Sequence, residues 1–165
     1  MKAEINNVEV AFEESDTLGV KSWFARVCYQ QYELDFDFDE RELIDNHSRT
    51  TKIDQKLLID VVKHVLDNMK TIQSQGASVL TELFKQIIND QELILKKGYF
   101  NPEGVTLKSV LDTGATAAGR IPEFEYEVYY FLESEIDMVV IDPYHAYYAR
   151  FSNGNGLTLI GVRRV

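Results

Sequence analysis

Trp23-Phe24-Ala25-Arg26-Val27-Cys28-Tyr29 runs through Gln30-Gln31 into Tyr32-Glu33-Leu34-Asp35-Phe36-Asp37-Phe38-Asp39, and this stretch decides the fold. Trp23, Ala25, Val27 and Tyr29 fall on every second position, as do Tyr32, Leu34, Phe36 and Phe38. Period two is that of a strand with one buried face. Gln30-Gln31 turns one strand into the next, and Glu33, Asp35, Asp37 and Asp39 take the opposite face. Upstream, Val8, Val10 and Phe12 repeat the alternation, so the first quarter predicts three antiparallel strands.

From residue 51 the period changes. Leu58, Val61, Val62, Val65, Met69 and Ile72 follow the i, i+3, i+4, i+7 spacing of an amphipathic helix. Thr51 and Asp54 have capping-box spacing, which starts the helix near Thr51. Ser74-Gln75-Gly76 interrupts the stripe, and Val79, Leu80, Leu83, Phe84, Ile87 and Ile88 resume it as far as Lys96-Lys97-Gly98, where cations and glycine suit a helix end. Two helices so closely joined predict an antiparallel hairpin. Asn101-Pro102-Glu103 reads as a turn or helix start, Leu107, Val110 and Leu111 as a short helix stopped by Gly114, and 113–119 as a loop.

After Pro122 the strand period returns in Tyr126, Val128, Tyr130 and Leu132, then in 138–141, in Tyr147, Ala149 and Phe151, and in 157–165. The turns fall at 133–137, Asp142-Pro143 and Ser152-Asn153-Gly154-Asn155-Gly156. The fold class is therefore α+β. An antiparallel sheet of N-terminal strands and a C-terminal four-strand meander carries the helical hairpin on one face, all within a single domain spanning 1–165.

Composition narrows the function classes. The chain has 165 residues, 45% of them hydrophobic, enough for one substantial core without staples. Its single cysteine, Cys28, leaves no internal disulfide or cysteine-based metal site to build. No apolar run reaches membrane-spanning length, and Met1-Lys2-Ala3-Glu4-Ile5 lacks a signal-peptide core, so the expected location is the cytoplasm. A formal net charge of −10 opposes nucleic acid and anionic membranes and favours a basic protein partner. Oligomeric state is not legible from these features.

Several constellations invite chemistry. Asp35, Asp37, Asp39 and the adjoining Glu40 form an acidic stripe, and the three like charges on one strand face repel, a repulsion that a basic partner would relieve. Read as a calcium loop starting at Asp35, the stripe fails, because Glu40 stands where glycine is needed and Asn46 where glutamate is needed. Tyr129 and Tyr148 fall on the face opposite the core tyrosines and are candidate partner contacts. Asp142, His145 and Arg150, with Tyr148 nearby, form a polar set at a sheet end, an alternative catalytic group. His47, His64 and His145 lack metal-ligand spacing, the glycines lack that of a phosphate loop, and no cofactor or metal is expected.

Val110-Leu111-Asp112-Thr113-Gly114-Ala115, with Leu159-Ile160-Gly161 later, resembles the catalytic loop and hydrophobic-hydrophobic-glycine element of retropepsin-like aspartic proteases. That resemblance implies Asp112 as a catalytic acid and base shared with a second subunit. It is confined to these two stretches. The family places strands immediately before the Asp and a glycine-rich flap after it, whereas here helical spacing leads up to Asp112 and Glu125-Tyr126-Glu127-Val128 follows as an ordinary strand.

The overall pattern resembles small bacterial domains of unknown function, some of them immunity proteins of polymorphic toxin systems. It is carried by Trp23-Phe24-Ala25-Arg26-Val27 with Leu34-Asp35-Phe36-Asp37, the helical pair, and Ile141-Asp142-Pro143-Tyr144 with Arg150-Phe151. The resemblance implies a non-catalytic cytoplasmic protein that binds and blocks a partner, with strong negative charge speeding capture of a basic toxin. The leading expectation is a protein-binding module contacting its partner through Asp35, Asp37, Asp39, Glu40, Tyr129 and Tyr148. The alternatives are a hydrolase using Asp112 or the Asp142, His145 and Arg150 group, and a small-ligand-binding domain.

Overall fold

The computed structural model describes residues 1–87, 98–112, 120–134 and 141–165. Strands β1 (Lys2–Ile5) and β2 (Val8–Ala11) form a small antiparallel sheet of their own. Then come β3 (Glu13–Thr17), β4 (Val20–Tyr29), β5 (Tyr32–Asp39), helices α1 (Glu40–Asp45), α2 (Gln55–Asp67) and α3 (Met69–Ile87), and strands β6 (Gly98–Asp112), β7 (Glu123–Ser134), β8 (Tyr147–Ser152) and β9 (Thr158–Arg164). Strands β3 to β9 make one seven-stranded sheet in sequence order. All neighbours are antiparallel except β5 and β6, which run parallel with Asp35, Phe36 and Asp37 opposite Gly104, Val105 and Thr106. The α+β class and the largely antiparallel sheet agree with the sequence pattern.

The alternation read in β4 and β5 buries Trp23, Ala25, Val27, Leu34, Phe36 and Phe38 on one face. Gln30 takes a positive φ of 54° in the turn between them. Val8, Val10 and Phe12 belong elsewhere than expected. β2 pairs with β1, and this hairpin lies on the covered face, with Phe12 against Phe38 at 6.3 Å between ring centroids. Strand β3 has no apolar residue to mark it.

Helix α2 starts at Gln55, later than expected, because the Asp54 carboxylate is the N-cap, accepting from the Leu57 N–H at 2.8 Å. The break between helices also lies elsewhere. Asn68 caps the C-terminus of α2, and its carbonyl accepts from the Thr71 and Ile72 N–H groups to open α3. One linking residue is shorter than the loop of roughly two to five residues an antiparallel hairpin uses, so α2 runs into α3 without a hairpin loop. Helix α3 continues through Gly76, where a Cβ would fall 2.1 Å from the Tyr130 hydroxyl. That glycine is a point of close approach: Tyr130 crosses to α3 and donates to the Ile72 carbonyl at 3.0 Å.

The largest departure is β6. The expected turn at residues 101–103 and short helix at 107–111 are a single strand paired along its length with β7. Register shifts between Pro102 and Gly104, Leu107 and Ser109, and Val110 and Asp112 put buried residues at irregular intervals, so the strand period is broken and a helical one imitated. Strands β6 to β9 form the C-terminal meander, with β6 as its first strand. The strand expected over 138–141 and the helix end at Lys96-Lys97 lie outside the described residues except for Ile141 and Gly98, and the loop over 113–119 lies outside them entirely.

The covered face is packed by α2 and α3 against aromatic rows. His64 of α2 stands edge-on to Phe124 and Tyr126, and Phe84 of α3 meets Phe100 and Tyr147. Tyr126, Tyr130 and Tyr147 are wholly buried there. No helix among the described residues is long and apolar enough to cross a membrane.

Candidate functional site: the open face of the sheet

Alternation sends the remaining side chains of the sheet to the face opposite the one that α2 and α3 cover, where α1 reaches in at one end through the Glu42–Lys108 pair. Directly opposed residues share a face, so the strand register lists its rows. One row runs Arg26, Asp35, Gly104, Tyr129, Tyr148 and Arg163 across β4 to β9. The next runs Glu13, Phe24, Asp37, Thr106, Glu127, Arg150 and Gly161 across β3 to β9. Four of the six residues expected to contact a partner, Asp35, Asp37, Tyr129 and Tyr148, are thus brought onto one surface.

The β7–β9 half of this face is aromatic and internally neutralised. Tyr129 contacts Phe131 and Tyr148 with ring centroids 4.8 and 5.4 Å apart. The Arg163 guanidinium lies 4.0 Å over the Tyr148 ring and forks onto Glu127 at 2.9 and 3.2 Å. Burial works against the Glu127 charge, but Arg163 outweighs it and holds the carboxyl below its ordinary range, aided by Lys108 and Arg150. Arg150 pairs with Glu125 at 2.7 Å.

The β3–β6 half is acidic. Arg26 binds Asp35 through two hydrogen bonds of 2.7 and 2.8 Å, which draws Asp35 out of the set of free charges. Asp37 has no counter-ion among the described residues, and burial, then the Asp35 charge, push its carboxyl above the ordinary range. Glu103 sits at the β6 bulge beside Gly104. Burial, then Glu133, Glu33 and Asp35, push its carboxyl up to about 6. A groove of about 460 Å³ opens at the end of this half, walled by Glu13, Glu14, Asp37, Asp39 and Glu42 around Phe24.

Two of the expected contacts have structural roles. Asp39 is the N-cap of α1, accepting from the Arg41 N–H at 2.8 Å. Glu40 is 2% exposed and turns away from the surface, because it follows Leu34, Phe36 and Phe38 at the even positions that face the core. Its carboxylate accepts from the Lys21 and Ile53 N–H groups and from the Lys52 ammonium at 2.9 Å. β5 is also an interior strand, so its acids do not guard a sheet edge.

The alternative catalytic group comes together only in part. The Asp142 carboxylate lies 2.7 Å from His145 Nδ1 and accepts from the Tyr147 hydroxyl at 2.5 Å and from Arg164 at 3.1 Å. Arg164 and Tyr147 fill the places expected for Arg150 and Tyr148, which point to the open face because they are one position out of phase along their strands. Burial raises the Asp142 carboxyl, but the bonds from His145, Tyr147 and Arg164 outweigh it and hold it low, while Tyr147 is pushed up to about 12 by burial and by Asp142. A carboxylate that accepts from Tyr147 and Arg164, with His145 beside both it and Arg164, closes a sheet end. Asp112 ends β6 opposite Glu123, so a strand does precede it, contrary to the helical spacing expected there; the loop that follows lies outside the described residues.

Phe24 and Glu13 were not singled out by sequence. Phe24 breaks the in–out rule as an apolar residue at an outward position, and that is the signal by which it could have been found. Among the described residues, no group of three or more His, Cys, Asp or Glu is arranged to hold a metal ion. No protein-family model matches this chain, no curated protein matches it, and no solved structure matches it.

Proposed function

We propose that the chain is a non-catalytic protein-binding domain that captures a basic partner on the open face of its sheet, in the manner of an immunity-type protein. The observation that carries this reading is the shared row of Asp35, Tyr129 and Tyr148, with Asp37 beside it. This surface sets half-buried aromatics next to Asp37, an acid with no counter-ion among the described residues. Aromatic residues supply contact area at low entropic cost, and acids steer a basic surface into register. The net charge of −10 acts in the same direction at long range.

The test takes a protein recovered with the tagged chain from its native lysate and measures its affinity by calorimetry. Tyr148→Ala should weaken binding at least tenfold as a central anchor, Asp37→Lys should weaken it further, and added salt should slow association. A partner whose affinity ignores both substitutions binds elsewhere, and the proposal is then wrong.

A further inference from the structure

The open face contains its own example of how it holds an arginine. Arg163 lies on the ring of Tyr148 and clasps the carboxylate of Glu127, an aromatic and an acid on neighbouring strands. The same aromatic–acid pairing recurs at the other end of the face without a cation. Phe24 has Glu13 directly opposite on one side and Asp37 directly opposite on the other, with Thr106 beyond Asp37. Directly opposed side chains stand about 4.5–5.5 Å apart at Cβ, so both carboxylates flank the ring.

The surrounding groove has been depleted of competing claims. Glu14 is paired with Lys21 at 2.5 Å, Glu42 is paired with Lys108, and Asp39 caps α1. Among the described residues, Glu13 and Asp37 remain with no counter-ion, and no ring or cation covers Phe24. We propose that the row Glu13, Phe24, Asp37 and Thr106 seats an arginine side chain presented by the partner. The inference rests on the reading of the open face as a protein-binding surface and names the group that surface is built to recognise.

Arginine fits better than lysine for reasons of shape. A guanidinium is planar, stacks on an aromatic face, and carries N–H donors on opposite edges that can reach carboxylates on both sides of the ring. An ammonium is a compact, strongly hydrated charge with no plane to lay on Phe24. Asp37, held above its ordinary range by burial and by Asp35, gives up its proton more readily once a cation is seated, so binding should tighten as pH rises and the carboxyl ionises.

The experiment titrates the full chain with blocked tetra-arginine and tetra-lysine peptides at one ionic strength, following amide shifts by NMR and affinity by calorimetry. Tetra-arginine should bind at least threefold tighter, with shifts centred on Phe24 and Asp37. Phe24→Leu should erase the preference and weaken tetra-arginine about two- to fivefold, the range of a cation–ring contact. Asp37→Asn, which keeps size and fold, should weaken it more than Glu4→Gln, an equal charge change at an exposed site on β1. Equal affinity for the two peptides overturns the proposal, as does an Asp37→Asn effect no larger than that of Glu4→Gln. A native partner that still depends on Tyr148 in that event would leave the binding face standing and remove only the arginine seat.

Discussion

Gly76→Ala tests the packing of α3 on the sheet through the sign of its effect. In an exposed helix interior the substitution stabilises by about 1 kcal/mol. Here the new methyl would lie 2.1 Å from the Tyr130 hydroxyl oxygen and 2.6 Å from Cζ, and Tyr130 is wholly buried and cannot swing into water. Forcing the ring aside costs about 1–3 kcal/mol of overpacking, and the hydrogen bond to Ile72 contributes about 0.5–1.5 kcal/mol more. Set against the helix gain, the middle of these ranges is a net loss of about 2 kcal/mol, or about 4–8 °C in Tm for a chain of this size. Urea unfolding followed by circular dichroism measures it. In a Tyr130→Leu background the same Gly76→Ala should be neutral or stabilising, because the atoms it strikes are gone. A rise in stability on the wild-type background would refute the close approach of Tyr130 to α3.

Glu40→Ala orphans two backbone donors, and should cost about 2–4 kcal/mol in the same assay; an effect below about 0.5 kcal/mol would show that Glu40 is not the buried junction described. His64 packs edge-on to Phe124 and Tyr126, its Nε2 has no hydrogen-bond partner among the described residues, and burial depresses its protonation below the ordinary value of 6.5 against a smaller opposing pull from Asp67. The unfolded chain therefore takes up this proton first as pH falls below 6.5, so stability should drop from there down to the folded-state value. Chemical denaturation between pH 7.5 and 5 should show this slope in the wild type and a shallower one in His64→Leu.

What was legible in the sequence follows from where the strand period is clean. In β4 and β5 an uninterrupted period of two placed the core face, and the same parity put Asp35 and Asp37 on the surface. Tyr129 and Tyr148 were placed by parity too, as the outward neighbours of buried Tyr130 and Tyr147. β6 was not legible because its three bulges each move the buried position by one residue, and Leu107, Val110 and Leu111 then match helical spacing. β3 escaped because Glu-Glu-Ser-Asp-Thr has no apolar member to mark a face, and with it went Glu13. Glu40 was misread because it was grouped by charge with Asp35, Asp37 and Asp39, whereas the parity of β5 carries it with Leu34, Phe36 and Phe38 to the buried face. Gly76 looked like a helix break because only the tertiary neighbour Tyr130 reveals why a glycine is needed there.

The single parallel contact in the sheet divides the chain into two runs of strands that are each built from near neighbours. β3 to β5 close through short turns, and β6 to β9 form a meander, whereas β5 meets β6 through only three paired positions separated by all three helices. Pairing of such long sequence separation carries the largest loop-closure cost and is the slow step in assembling a sheet. Asp35 and Asp37 lie on one side of that seam and Gly104, Thr106 and Tyr129 on the other, so the open face is complete only after the seam has closed. A partner gripping both sides would act as a clasp on the joint, and its binding would slow unfolding of the whole sheet rather than only cover its surface.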